Sequence, residues 1–472
     1  MNETLPGHSR YQPKELVPIF GYDHSYEGVA RVEIANLEVL GEIGFIPADD
    51  IALLTPDVRE QLLGITTTEV DQRERKVTKH DIRAWVQLAM ERVDRRLGRW
   101  IHTGLTSYDP LDTARAMSFV RAHREAVRPA ASEVGLLLSD LVERFADQLQ
   151  LGRTHLQAAL PITVGFWLAT ILSRYLYTLE EMDRACGQIV GKISGAVGAF
   201  NAQKGLGILA KCGGCSFEYR VLAKLGLQPA RISTQILPPE PLALHLFVNC
   251  LFSASMAQLG QDARNLMRTE IAEFAEVKGL GEVGSSTLGQ KTNPINFENM
   301  VGIWILTKNM FGNVMDTLIS DLQRDLVGSP VARFFPVIVV NVMQQLNTLR
   351  RRNDDGVPFL ARVVVNADAC ERNFRLVAPF LLAEPTQLAL QIAGFEGDGY
   401  KIVAEQAVPE SKRTGRLLID ILEDMPNEAL LDAIGRIPPS IMELLHRPEE
   451  YTGLAFEKAQ QVARLARRQL VA

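Results

Sequence analysis

An all-α fold follows from three features of this sequence. Apolar residues recur at three- and four-residue intervals over Glu27–Leu40, His80–Leu97, Leu111–Phe145, Ile162–Cys186, Leu242–Val277 and Gly302–Leu322, the period of helices with one apolar face. Several of these runs reach about 25–35 residues, well beyond the usual helix of roughly 11–12. At ~1.5 Å per residue they would form rods of ~40–50 Å. Alternating, β-branched patterns are scarce, and Arg362–Val365 is the best short strand candidate.

Taken in order, the helical runs are interrupted at three places. Thr103–Pro110 and Arg350–Pro358 read as domain boundaries. They divide the 472 residues into an N-terminal helical domain (1–109), a central long-helix bundle (110–352) and a C-terminal helical domain (353–472). The third break, Gly279–Pro294, is different. Gly279, Gly281, Gly284 and Gly289 with Ser285, Ser286 and Thr287 make a polar loop between two apolar helices. A loop of that length inside a compact domain is usually functional. Two uncharged stretches, Thr154–Ser173 and Pro241–Gln261, are long enough to span a bilayer, yet Gln157, His245, Asn249 and Gln258 interrupt them. We read both as central helices buried all round rather than as membrane spans.

Composition removes several function classes. With 47% hydrophobic and 22% charged residues, the chain falls among globular proteins. A net charge of -6 gives no reason to expect a polyanionic partner. Basic residues stand beside acids, as in Glu91-Arg92-Val93-Asp94-Arg95-Arg96, the pattern of solvated helix faces and not of a nucleic-acid stripe. The start, MNETLPGHSRYQP, carries no apolar run behind a basic segment, so a cytoplasmic location is expected. Cys186, Cys212, Cys215, Cys250 and Cys370 form no disulfide framework, and the lone Cys212-Gly-Gly-Cys215 lacks the second pair a zinc site needs.

Five polar segments interrupt the helical runs: Lys79-His80-Asp81, Thr103 through Asp109, Gly152-Arg153-Thr154-His155, the Gly/Ser loop ending Lys291-Thr292-Asn293-Pro294, and Gln323-Arg324-Asp325 through Arg333. A catalytic site needs an acid, a base, cations and hydroxyls brought together. Singly, each is a weak signal, because a lone histidine is more often structural and a serine-rich loop is usually just a loop. Their order and content resemble the adenylosuccinate lyase branch of the fumarase/aspartase superfamily, in its bacterial form. Gly284–Pro294 reads GSSTLGQKTNP against the signature GSSxMPxKxNP and continues as INFEN. HTGLTSYDPLDTA (His102–Ala114), GRTHLQ (Gly152–Gln157), GKISGAVGAFNA (Gly191–Ala202), ISTQ (Ile232–Gln235) and QRDLVGSPVAR (Gln323–Arg333) are similar to further family segments, and Arg10-Tyr11 fits a family pair.

The resemblance implies a β-elimination that releases fumarate from a succinyl-amine, most simply adenylosuccinate or the related succinylated purine precursor. It assigns Ser285 as the base and His155 as the general acid, with Lys291 and His80 in support. Substrate contacts would come from Arg10, Tyr11, Lys79, Asp81, Thr106, Ser107, Thr154, Gln235, Asn293, Asn299, Arg324, Ser329 and Arg333. It implies no metal or organic cofactor, a small-molecule substrate, and a homotetramer whose sites draw residues from several chains. The chain also departs from the family. Leu288-Gly289-Gln290 replaces Met-Pro-His/Tyr, and Gly328 and Pro330 replace polar residues around Ser329. A different succinyl-amine is therefore the main alternative substrate, and a non-catalytic helical scaffold the second alternative.

Overall fold

The helical periods persist in space. The computed structural model describes residues 4–212, 216–277, 288 and 290–471, and the fold is 66% helical. In chain order the elements that matter here are α1 (Ser25–Glu42), α2 (Asp81–Arg92), α3 (Tyr108–Ala122) and α4 (Arg128–Arg144), followed by strands β1 (Leu149–Thr154) and β2 (Gln157–Thr163). Next come α5 (Val164–Gly187), β3 (Val190–Gly191), β4 (Gln228–Pro229), α6 (Glu240–Leu266), β5 (Phe274–Ala275), α7 (Ile295–Asp316), α8 (Pro336–Arg350) and β6 (Val364–Val365). Smaller helices fill the C-terminal part, which ends with α9 (Ala455–Leu470).

Two compact units emerge, each discontinuous in sequence. One comprises residues 1–131, 177–256 and 300–348; the other comprises 132–176, 257–299 and 349–472. Every passage of the chain from one to the other falls inside one of the helices α4 to α8.

In the first unit α1 lies against α3 at close range. A side chain on Gly28 would meet the Ala114 Cβ at 2.8 Å, so glycine there sets the helix separation. The apolar residues of α1, among them Val29, Val32, Leu37, Val39 and Leu40, are buried, as the spacing of the sequence requires. Between α3 and α4 the run does not stay regular, because His123–Val127 forms a π-helical turn. Helix α6 is long and apolar enough to cross a membrane by length and composition, and 67% of its most apolar window is buried inside the fold.

In the second unit the second half of the strand candidate at Arg362–Val365 appears as β6, paired antiparallel with β5 through Phe274↔Val365 and Ala275↔Val364, while Arg362 ends a 3-10 turn. Trp167, Phe274, Phe297 and Phe359 stack in series with ring centroids 5.4–5.8 Å apart. This column packs β5 against the start of α7. A separate apolar cluster, including Leu390, Ile419, Leu422, Leu430 and Ala433, forms the core of the C-terminal helices.

One expected helix is corrected. Thr154–Ser173 is not helical throughout: it begins as a hairpin strand through Thr163, and only Val164 starts α5. Pro161 has no N–H to give a helix, and the preceding residues pair instead with β1 over Leu149↔Thr163 to Thr154↔Gln157. Helix α6 likewise stops at Leu266, short of Val277, where the chain turns through Ala272 (φ 53°) into β5.

Candidate active site

Four of the sequence segments interlock in the first unit. At their centre Asp109 is fully buried. Its carboxylate accepts hydrogen bonds from the backbone N–H groups of Thr106 (2.7 Å) and Ser194 (3.0 Å), and it pairs with the ammonium of Lys192, which is equally buried. Thr113 Oγ1 donates to the Lys192 carbonyl and accepts from its N–H. The HTGLTSYDPLDTA segment is thus locked to GKISGA. A buried charge is tolerated only when paired and fully hydrogen-bonded, and this one is. With its backbone held by Asp109, the Thr106–Ser107 turn precedes α3. Both hydroxyls make no hydrogen bond among the described residues.

From GKISGA the connection continues to ISTQ. The hydroxyls of Ser194 and Ser233 lie 2.6 Å apart. Gln235 donates its N–H to the Gln323 carbonyl at 3.2 Å, and its side-chain oxygen accepts from Arg324 Nη1 at 3.0 Å. The Arg324 guanidinium sits 3.2 Å from the ring centroid of Tyr108, a cation–π stack that fixes the plane of its donors. A cleft opens beside this group, walled by apolar residues such as Ile236, Leu237, Leu318 and Phe335, with Tyr108, Asp112, Arg115, Asp325 and Ser329 among its polar members. Arg333 lines a second cleft of about 1520 Å³ with Tyr22, His24, Ser25 and Arg115.

The remaining expected residues of this unit lie elsewhere on its surface. His80 caps α2: its Nδ1 accepts from the Arg83 N–H at 3.4 Å and lies 3.2 Å from Asp81 Oδ1. Lys79 adopts a left-handed conformation (φ 54°) and donates to the Arg75 carbonyl. Arg10 is exposed, and Tyr11 turns back on His8 through a 2.9 Å backbone bond.

In the second unit Thr154 and His155 stand at the tip of the β1–β2 hairpin. Thr154 pairs with Gln157, so His155 (φ 54°) and Leu156 (φ 63°) are the two turn residues, both left-handed. That is the conformation of a type I′ turn, usually given to Asn and Gly. Leu156 is 72% exposed, so burial of its side chain does not compensate the strain. The compensation comes from the strands. Arg153 makes a bidentate pair with Glu273, at 2.5 and 3.0 Å, and the same buried carboxylate accepts from Gln150 (3.2 Å) and Asn373 (2.8 Å). At Gly152, where the register slips, any side chain would strike the Leu160 carbonyl at 2.6 Å. The motif arginine and glycine therefore aim the hairpin, and the histidine they carry projects from its tip.

Ser285 lies outside the described residues, as do Gly284, Ser286, Thr287 and Gly289. Glu276, at the approach to that segment, accepts from the Asn296 amide (2.8 Å) and the Phe297 N–H (3.4 Å) at the start of α7, and Arg351 donates to Asn296 at 2.9 Å. Burial pushes the Glu276 carboxyl pKa upward. Lys291 lines a cleft of about 1110 Å³ with Gln290, Thr292, Phe274 and Asn366. Asn293 and Asn299 are exposed. Among the described residues of this unit, His155, Lys291 and Asn293 share no hydrogen bond with one another.

Nothing local in the sequence marks the pairing of Asp109 with Lys192, although both lie within the motifs, or marks a role for Glu273, Arg115 or His102. His102 (φ 65°) places its Nδ1 2.6 Å from Glu33. Burial opposes charge on this imidazole, and the adjacent Glu33 carboxylate outweighs burial, so its pKa is raised. Among the described residues no group of three or more His, Cys, Asp or Glu could hold a metal ion.

A family model described as a lyase matches residues 63–305, more than half of the chain. The chain belongs to the fumarase/aspartase lyase superfamily. It is 28% identical over 463 residues to the adenylosuccinate lyase of Archaeoglobus fulgidus, covering 96% of this chain and 97% of that one. The adenylosuccinate lyase of Streptococcus mutans is 30% identical over 326 residues, covering 69% and 71%. Archaeal and bacterial relatives both match this lyase. Its backbone is similar to the 3-carboxy-cis,cis-muconate lactonizing enzyme of Pseudomonas putida (TM-score 0.77, 19% identity, 97% of each chain). It is equally similar to a fumarate lyase from Mesorhizobium sp. BNC1 (TM-score 0.77, 21% identity, 97% of this chain and all of that one). Likeness at those identities speaks for the shared fold.

Proposed function

We propose that this lyase removes fumarate from adenylosuccinate, and from the related succinylated purine precursor, to leave a free amine. The observation that carries the reading is the near full-length similarity to adenylosuccinate lyases. The Gln235–Arg324 pair and the two clefts holding Ser329 and Arg333 agree with it. Two guanidiniums and a hydroxyl are chemically suited to a phosphate dianion.

The proposed chemistry is a proton abstraction next to a carboxylate, followed by loss of the amine. Ser285 takes the proton, and cations and backbone N–H groups must lower its pKa for this to occur. Lys291 and Asn293 face the carboxylate that accumulates charge, since preorganised electrostatics gives the largest rate term. His155 protonates the departing nitrogen. His80, with Lys79 and Asp81, orients the substrate, while Thr106, Ser107 and Thr154 donate to its succinyl carboxylates. Gln235, Asn299, Arg10 and Tyr11 complete the nucleotide contacts. We further infer a cytoplasmic homotetramer in which several chains contribute to each site. Exposed apolar side chains on its long helices, including Phe247 and Leu251 of α6 and Ile305 and Leu306 of α7, agree with such association.

A second reading rests on Leu288-Gly289-Gln290, which replaces a fixed-φ proline and a ring side chain in the signature loop. It keeps the same acid and base and changes the amine. A panel of succinyl-amines separates the two. Chromatography should show AMP appearing from adenylosuccinate; turnover of a different panel member, with adenylosuccinate intact, would select the second reading.

A further inference from the structure

Arg115 belongs to no segment that the functional reading uses, yet it lines both clefts of the first unit, the one with Ser329 and the one with Arg333. Its side chain is 32% exposed. One of its N–H groups bonds Asp112 Oδ1 at 3.0 Å, and the guanidinium makes no other hydrogen bond among the described residues. Arg333 makes no side-chain hydrogen bond or ion pair there at all, and neither does the Ser329 hydroxyl. The acids nearby are already engaged. Asp112 Oδ2 accepts from the Leu237 N–H at 3.0 Å, and Asp325 accepts from the N–H groups of Asp321 (2.7 Å) and Val327 (2.6 Å). Arg115 and Arg333 therefore both line the second cleft, each with guanidinium N–H groups left for an anion. Gly328 and Pro330 offer no side-chain donor on either side of Ser329, and Arg115 of α3 brings a guanidinium to both clefts.

We propose that Arg115 is a specificity-determining residue that grips the substrate's phosphate together with Ser329 and Arg333. The inference rests on the nucleotide reading above and adds α3 to the phosphate site. The competing role for Arg115 is purely structural, a clamp on Asp112 one helical turn away.

The full-length protein with Arg115→Met and Arg115→Lys tests this. AMP affinity by calorimetry, and KM and kcat with adenylosuccinate and with its dephosphorylated nucleoside, are the readouts. Arg115→Met should weaken AMP binding about tenfold or more and raise KM for adenylosuccinate by a similar factor. The expected kcat stays within about twofold, the nucleoside's parameters do not move, and Arg115→Lys recovers part of the loss. Unchanged AMP affinity in Arg115→Met overturns the proposal, as does an equal loss for nucleotide and nucleoside accompanied by a lower melting temperature. Wild-type protein that binds AMP without splitting adenylosuccinate defeats the functional reading alone and leaves the Arg115 comparison intact. Wild-type protein that binds no AMP defeats both.

Discussion

Asp109 and Lys192 show how a single residue serves the site without touching a substrate. The pair is buried completely and holds Thr106, Ser194 and Gly195 by their backbone N–H groups. Removing one partner leaves an uncompensated charge in the core, so Lys192→Met should cost ~3–5 kcal/mol of stability in urea unfolding. A loss below ~1 kcal/mol would mean the pair is dispensable. His155 and Ser285 are proposed to act on the substrate directly, and they predict the opposite pattern. His155→Ala and Ser285→Ala should each abolish measurable turnover while the helical circular dichroism and melting temperature stay at wild-type values. Retention of activity in both variants would refute the roles assigned to them.

At the scale of elements, the β1–β2 hairpin is the instructive case. Two left-handed residues at its tip, one of them Leu156, cost of order 1 kcal/mol each. Leu156→Gly should therefore stabilise the fold by about 0.5–1 kcal/mol, seen as a higher melting temperature; destabilisation would show that the leucine side chain is needed at the tip. This hairpin was not legible in the sequence. Its turn has neither Asn nor Gly, and what fixes it is Arg153 bonded to Glu273, 120 positions away. The long helices were legible because their apolar period is local: α1 and α5 fall close to the predicted runs, whereas α6 ends short of Val277 and α7 begins at Ile295 and ends at Asp316, ahead of the predicted Gly302 and Leu322. The convergence of HTGLTSYDPLDTA, GKISGA, ISTQ and QRDLVGSPVAR had no local signal, because it depends on Asp109, Ser194 and Gln235 meeting partners from distant segments. Resemblance to a family supplied their order, and the hydrogen bonds supply the reason they stand together. Pro161 was a usable warning that the run from Thr154 does not begin as a helix.

For the whole molecule, stability should depend on pH through the bundle interior. Burial, aided by the neighbouring His123 ring 5.6 Å away, lowers the His245 pKa from 6.5 to about 3. A depressed histidine pKa favours the folded state above the unfolded value and loses that contribution as pH falls from about 6.5 toward 3. The slope is roughly 1.4 kcal/mol per unit for one such group. Urea midpoints should fall between pH 7 and pH 5, and His245→Phe should flatten that fall; an unchanged slope would place the pH sensitivity elsewhere. Assembly is testable too: light scattering should give four times the 52.4 kDa chain mass, and a monomer that is fully active would refute shared sites. Purified protein mixed with adenylosuccinate and followed by proton NMR should release the vinyl singlet of fumarate in step with AMP. If no fumarate signal grows from any succinyl-amine at high enzyme concentration, the elimination chemistry proposed for this chain is wrong.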